Sequence, residues 1–257
     1  MKIAVVIPFR KNSNRSEEVP KLCVEHWLQQ PMVSSVVFVD GSDDKLEIAH
    51  DRLVHLHVPY DGNFNLSFMR NVGVRKAIDM GFDFVQIMDS DIFSQTDNYI
   101  HSCVMLMNRG LDMLRPFVIN SPVAINDTDW EKFANPELEK CKRKVYSYST
   151  MFMRTAVPKS IHGWDEAYQI WGAEDDDFLV RASRGGYRVG NIERPWLIHS
   201  HHESDTCKKA KQETDQYQKN YDRFKKTRAG VLPNIRMPDN WGLHPKPRTA
   251  VMLRFKK

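Results

Sequence analysis

The chain has 257 residues, 41% of them hydrophobic and 27% charged, with a formal net charge of +4. That balance fits a soluble globular domain with one sizeable core. It holds no run near the roughly 18 apolar residues of a membrane span, and the apolar start at residues 3–7 is broken by Pro8, Arg10 and Lys11 before it reaches signal-peptide length. The four cysteines (Cys23, Cys103, Cys141, Cys207) lack paired CxxC spacing, which argues against structural zinc and for reduced thiols.

Residues 3–7 form a continuous apolar run ended by Pro8, the pattern of a strand buried on both faces. A helix is predicted over 17–30 and stopped by Pro31, then a strand over 36–39 closed by the polar turn 40–44, and a third strand over 53–58. Met69, Val72, Val74 and Ile78 carry helical spacing within 67–80, with Gly81 as the stop. A fourth strand over 82–88 runs into Asp89-Ser90-Asp91. Further along, helices are expected near 99–109, 130–142, 175–184 and 205–228, and strands near 117–120, 146–154, 188–193 and 196–199. Repeated β-α-β units predict an α/β fold with an open, mostly parallel central sheet flanked by helices. Division at residue 203 gives one domain over 1–203 and a basic helical extension over 204–257 packed on it.

Ligands of such sheets bind beyond the carboxyl ends of the strands. Three predicted strand ends carry polar groups: Arg10, Asp40 and the Asp89/Asp91 pair. Two carboxylates two residues apart on a turn after a buried strand suit a hard divalent cation, Mn2+ or Mg2+, with a nucleotide diphosphate completing its shell. A second constellation, Trp171-Gly172-Ala173-Glu174-Asp175-Asp176-Asp177, opens the predicted 175–184 helix. One or two acids satisfy a helix dipole; four crowd one another and raise the proton affinity of one, as a general base requires. Trp171 offers a flat apolar platform for a sugar face. The third, His199-Ser200-His201-His202, places imidazoles after a strand as metal ligands, which tilts the choice towards manganese.

Taken together, Ile7-Pro8-Phe9-Arg10, Phe64-Asn65, Asn71-Val72-Gly73, Asp89-Ser90-Asp91 and Gly163-Trp164 through Asp177 resemble the GT-A fold glycosyltransferases, in content and order most like the β-1,4-galactosyltransferase family. Ala173 stands where that family has a second glycine. Asp40 before Gly41-Ser42, and Arg70 before Asn71, are more like the broader bacterial group of inverting transferases. The resemblance implies a Rossmann-like nucleotide-binding fold and an inverting transferase that uses a nucleotide-sugar donor, a UDP-sugar. It implies that Pro8, Phe9 and Arg10 line the nucleotide pocket with Asp40, Phe64 and Arg70 close by. Asp89 and Ser90 then serve the nucleotide or metal region, Asp91 binds the metal, and His199 or His201 is the distal ligand. Trp171 and Glu174 hold donor or acceptor sugar, and Asp175 deprotonates the acceptor hydroxyl. Animal relatives of this kind are anchored and disulfide-bonded, so a cytoplasmic enzyme of a bacterial or phage-infected cell is expected here.

The acceptor stays open among glycan, protein and modified DNA base. Residues 203–257 hold 14 Lys and Arg against 6 Asp and Glu, a local excess of +8 that leaves about −4 on the first 202 residues. Such a tail is either a solvated amphipathic helix or a polyanion contact. Interleaved Tyr217, Tyr221 and Phe224 could stack bases in a nucleic-acid-binding protein, although their helical spacing also makes one apolar stripe. A nucleotidyltransferase is disfavoured, because residues 8–14 contain no glycine for a phosphate loop. A nucleotide-sugar hydrolase differs from a transferase only in using water as acceptor.

Overall fold

The structure, a computed structural model, describes residues 1–11, 17–60, 62–121, 125, 144–147, 149–200, 215–230 and 241–243. At its centre lies β1 (Ile3–Phe9), buried at all seven positions as its unbroken apolar run requires. It pairs in parallel with β2 (Ser35–Asp40) on one side and β4 (Phe84–Ile87) on the other, and β3 (Leu53–His57) extends the parallel set beyond β2. Helix α1 (Glu18–Gln29) follows β1, and α2 (Leu66–Asp79) precedes β4. The side chain of Asn65 caps α2 by accepting from Phe68 N at 2.9 Å. Gly73 lets α2 lie against the sheet, since a Cβ there would sit 2.4 Å from Val6 Cγ1.

Beyond β4 the sheet becomes mixed. In chain order come β5 (Ile92–Ser94), α3 (Tyr99–Met107), β6 (Met113–Asn120), β7 (Lys144–Tyr146), β8 (Met151–Arg154), α4 (Ala156–Ile161), α5 (Glu174–Arg184), β9 (Val189–His199) and α6 (Asp215–Arg228). The strand order is β3-β2-β1-β4-β8-β6-β9-β5, with β7 on β6. Alternate residues of β1 enter two cores. Ile3, Val5, Ile7 and Phe9 join Trp27, Phe93 and Tyr99, whereas Ala4 and Val6 join Met69, Trp164 and Phe178. None of the described helices is long and apolar enough to cross a membrane. Cys23 and Cys103 are buried free thiols, and Cys141 and Cys207 lie outside the described residues.

The first half follows the predicted α/β alternation within a residue or two. Residues 146–154 do not form one strand: a turn in which Ser147 Oγ accepts from Thr150 N at 3.1 Å separates β7 from β8. The two strands expected at 188–193 and 196–199 are one, β9, and its pairing with β6 absorbs the irregularity through a register shift between Pro116 and Val118. The expected helix at 130–142 lies outside the described residues, as does 205–214 of the last helix.

Candidate active site

The chain winds from β1 outward to β3 and returns to β4 on the opposite side of β1, so a crevice opens at the carboxyl ends of β1 and β4. Pro8 and Phe9 are buried, Phe9 stacking on Phe38 at 5.7 Å, and form the crevice floor. Arg10 is only partly covered; it donates to Gly62 O at 2.8 Å and lies 5.0 Å over the Tyr60 ring. Phe64 packs at the edge of the second core. Asp40 is fully buried, one oxygen accepting from Ser42 N at 2.9 Å and the other from Leu46 N at 2.7 Å, with His55 3.5 Å away. Its carboxylate therefore shapes the 41–46 loop at the end of β2.

The Asp89-Ser90-Asp91 turn is propped from beneath by α1. Trp27 Nε1 donates to Ile92 O at 2.9 Å, Cys23 Sγ to the same oxygen at 3.3 Å, and His26 Nε2 accepts from Ser94 N at 3.0 Å. Ser90 is buried. The two aspartates face different ways. Asp89 accepts from Ser149 Oγ at 3.0 Å and lies 3.5 Å from Arg70, with a third of its side chain exposed. Asp91 is buried, and its Oδ2 lies 3.6 Å from His199 Nε2 across the β5–β9 pairing. Among the described residues no three His, Cys, Asp or Glu converge as a closed metal set. A carboxylate facing an imidazole, with a second carboxylate two residues away, nonetheless suits Mn2+ with phosphate oxygens filling the remaining positions. His201 lies outside the described residues.

The second acidic cluster begins α5 and fans out. Ala173, the residue before the helix, is left-handed (φ 68°), and the four acids that follow complement the helix dipole. Glu174 accepts from Gly172 N at 2.8 Å, closing its own turn. Asp177 is fully buried between Tyr168 (3.2 Å) and Arg181 (2.7 Å). Asp176 is half-buried. Asp175 is buried and receives two donors on a single oxygen, Arg70 at 2.5 Å and Trp164 Nε1 at 2.9 Å. Burial pushes the Asp175 carboxyl well above the usual carboxylate range; Arg70 pulls it back, Glu174 adds to the rise, and Trp164 again opposes it.

Arg70 joins the two clusters. Its guanidinium is fully buried and reaches Asp175, Asp89, Glu174 (3.8 Å) and Ser149 O (3.4 Å). Trp164, stacked on Phe178 at 3.9 Å, and Ser149 are site residues to which the sequence reading gives no role. Gly163-Trp164 is visible there only as part of the family-like string, and Ser149 has no local signal. Trp171 stacks on Tyr217 of α6 at 5.8 Å and lines a shallow depression with Leu66, Ser67, Tyr168 and Glu174.

Residues 137–203 match the family model described as the N-terminal domain of galactosyltransferase. Over 191 residues the chain is 24% identical to β-1,4-galactosyltransferase 7 of Drosophila melanogaster; the aligned stretch covers 73% of this chain and 47% of that protein. The chain thus spans about half the length of the curated relative it matches. Among solved structures, the catalytic domain of the Drosophila enzyme in complex with xylobiose superposes with a TM-score of 0.51 at 17% identity, covering 86% of this chain and 79% of that one. Residues 1–349 of TarS from S. aureus, in complex with UDP-GlcNAc, give 0.54 at 18% identity over 79% of this chain and 59% of that one. A mutant of the Drosophila enzyme in complex with manganese, UDP-Gal and xylobiose gives 0.52 at 18% identity, over 85% and 79%. The chain has the GT-A glycosyltransferase fold, and its galactosyltransferase-like segment falls on the stretch that carries Asp175.

Proposed function

We propose that the chain is a metal-dependent inverting glycosyltransferase that moves a sugar from a UDP-sugar to an acceptor hydroxyl. The observation that carries this reading is the Arg70 bridge. One buried cation sets a carboxylate suited to a base beside a carboxylate turn suited to a metal and a diphosphate. The ligands of the similar structures, UDP-GlcNAc in one and manganese with UDP-Gal and xylobiose in another, support the donor and acceptor classes.

In this reading Arg10, beside Tyr60 at the end of β1, and the Asp89 side of the turn face the nucleotide. Asp91 and His199 would hold the divalent ion, which when bound would offset charge on the leaving diphosphate. Arg70 and Trp164 fix Oδ1 of Asp175, so Oδ2 takes the proton of the acceptor hydroxyl. The freed oxygen attacks the anomeric carbon from the face opposite the diphosphate, the bond to the leaving oxygen breaks, and the configuration inverts. Burial serves this step, because a desolvated carboxylate binds a proton more strongly than one in water. Of the aromatics of α6, Tyr217 packs on Trp171, which supports a place for it in the fold rather than under a base.

A nucleotide-sugar hydrolysis screen with manganese identifies the donor without an acceptor. With that donor, Asp175→Asn lowers transfer by about 10²–10⁴-fold while leaving donor binding intact. Transfer at the wild-type rate by Asp175→Asn would remove Asp175 from the mechanism.

A further inference from the structure

We infer that α6 is the positioning element of the acceptor side, holding the 165–172 segment and with it Trp171 in the shape the acceptor meets. This deepens the transferase reading and rests on it. Three ties run from one face of the helix to the whole length of that segment. Arg223 Nε donates to the buried Asp165 at 2.6 Å. Asn220, 2% exposed, donates to Gln169 O at 2.8 Å and to Trp171 O at 3.2 Å, and accepts from Gln169 N at 3.4 Å. The Tyr217 ring stacks on Trp171 and lies so close to Gly172 that a Cβ there would sit 2.7 Å from it.

The segment needs external ties because its backbone is strained. Ile170 (φ 63°), Gly172 (φ 110°) and Ala173 (φ 68°) are all left-handed, a state that costs a β-branched residue most. Such conformations persist only where surrounding structure over-determines them, and α6 supplies three of the restraints. The depression beside Trp171 is shallow, with Leu66, Ser67, Tyr168 and Glu174 around it. Ser67 Oγ lines it, is buried, and has no hydrogen-bond partner among the described residues. The galactosyltransferase-like match ends at residue 203 and α6 begins at Asp215, so the helix that ties the 165–172 segment lies outside the matched stretch.

The test compares Tyr217→Ala and Asn220→Asp with the conservative Tyr217→Phe. Asn220→Asp keeps an acceptor for Gln169 N but loses both donated bonds. Two readouts are taken: acrylamide quenching of Trp171, isolated by difference against Trp171→Phe, and steady-state kinetics with the screened UDP-sugar, using xylobiose or water as acceptor. Tyr217→Ala and Asn220→Asp should make Trp171 several-fold more quenchable and raise the KM for xylobiose by about tenfold, with less than twofold change in hydrolysis by water. Tyr217→Phe should behave as wild type. The inference is overturned if quenching stays unchanged, or if hydrolysis and transfer fall together with Tm, which would make α6 a brace for the whole fold. Should the wild-type protein hydrolyse no nucleotide sugar, the transferase reading fails on its own, and the quenching result still decides whether α6 holds Trp171.

Discussion

The two acidic clusters at the crevice are built on opposite plans. The Asp89–Asp91 turn is short and held from outside: α1 grips the backbone just beyond it, Ser149 and Arg70 engage Asp89, and His199 faces Asp91. The acids of α5 are consecutive in sequence yet each has its own environment, from the self-closing Glu174 to the sealed Asp177. Adjacency along a helix start therefore does not amount to one shared site. Successive side chains point about 100° apart, so four acids reach four surroundings. Asp175 alone of the four hydrogen-bonds Arg70, with Glu174 3.8 Å from the same guanidinium.

Four measurements test this contrast. The largest effect is expected at Asp177, where Asp177→Ala leaves Arg181 unpaired in a buried site and should cost about 3–5 kcal/mol in urea unfolding. Manganese affinity should not change. A loss below about 1 kcal/mol would mean that Asp177 is not the structural member of its cluster.

Next comes acid sensitivity of the turn's support. Burial lowers the His26 imidazole from 6.5 to about 3, and its Nε2 accepts from Ser94 N, so the folded chain keeps it neutral. Below pH 6.5 the unfolded chain takes up a proton that the folded chain refuses until about pH 3. Stability from this group is thus complete above pH 6.5 and drains as pH falls across that window, by about 2 kcal/mol at pH 5. Denaturant titrations at pH 7 and pH 5, with His26→Gln as the control that flattens the difference, check it.

On the metal side, His199→Ala should weaken Mn2+ binding by about tenfold, or 1.4 kcal/mol, in calorimetry. Equal affinity in the variant would detach His199 from the Asp91 site. The smallest effect is at Ala173, whose φ of 68° favours glycine. Ala173→Gly should raise stability by about 1 kcal/mol, read from the urea midpoint, and a loss would mean that the left-handed turn is not strained.

The parallel half of the fold is legible because buried strands such as β1 and β2 write themselves as nearly unbroken apolar runs, and α2 announces itself by spacing and by the Gly81 stop. Elsewhere the signal lies in partners far along the chain. Three-residue β5 has too few positions to show a period and exists through its pairing with β9, about a hundred residues on. Helix α4 has only six residues, one of them Pro158, and offers no pattern to read. The site divides the same way. The string around Asp175 marks itself by composition, and Arg70 stands out as a cation beside Asn71. That these two meet across 105 residues, with Trp164 as second donor, follows from the second core that α2 and α5 share and has no local trace.

The split use of β1 has a further consequence for how the molecule opens. Its side chains anchor both cores at once, so its amide protons should exchange with solvent only when the whole domain unfolds. Helix α6 buries little beyond Asn220 and Thr227, and its amides belong at the fast-exchanging end of the range. The molecule thus combines a crevice floor that opens last with a neighbouring helix that opens early, so the two should respond to denaturant on different scales.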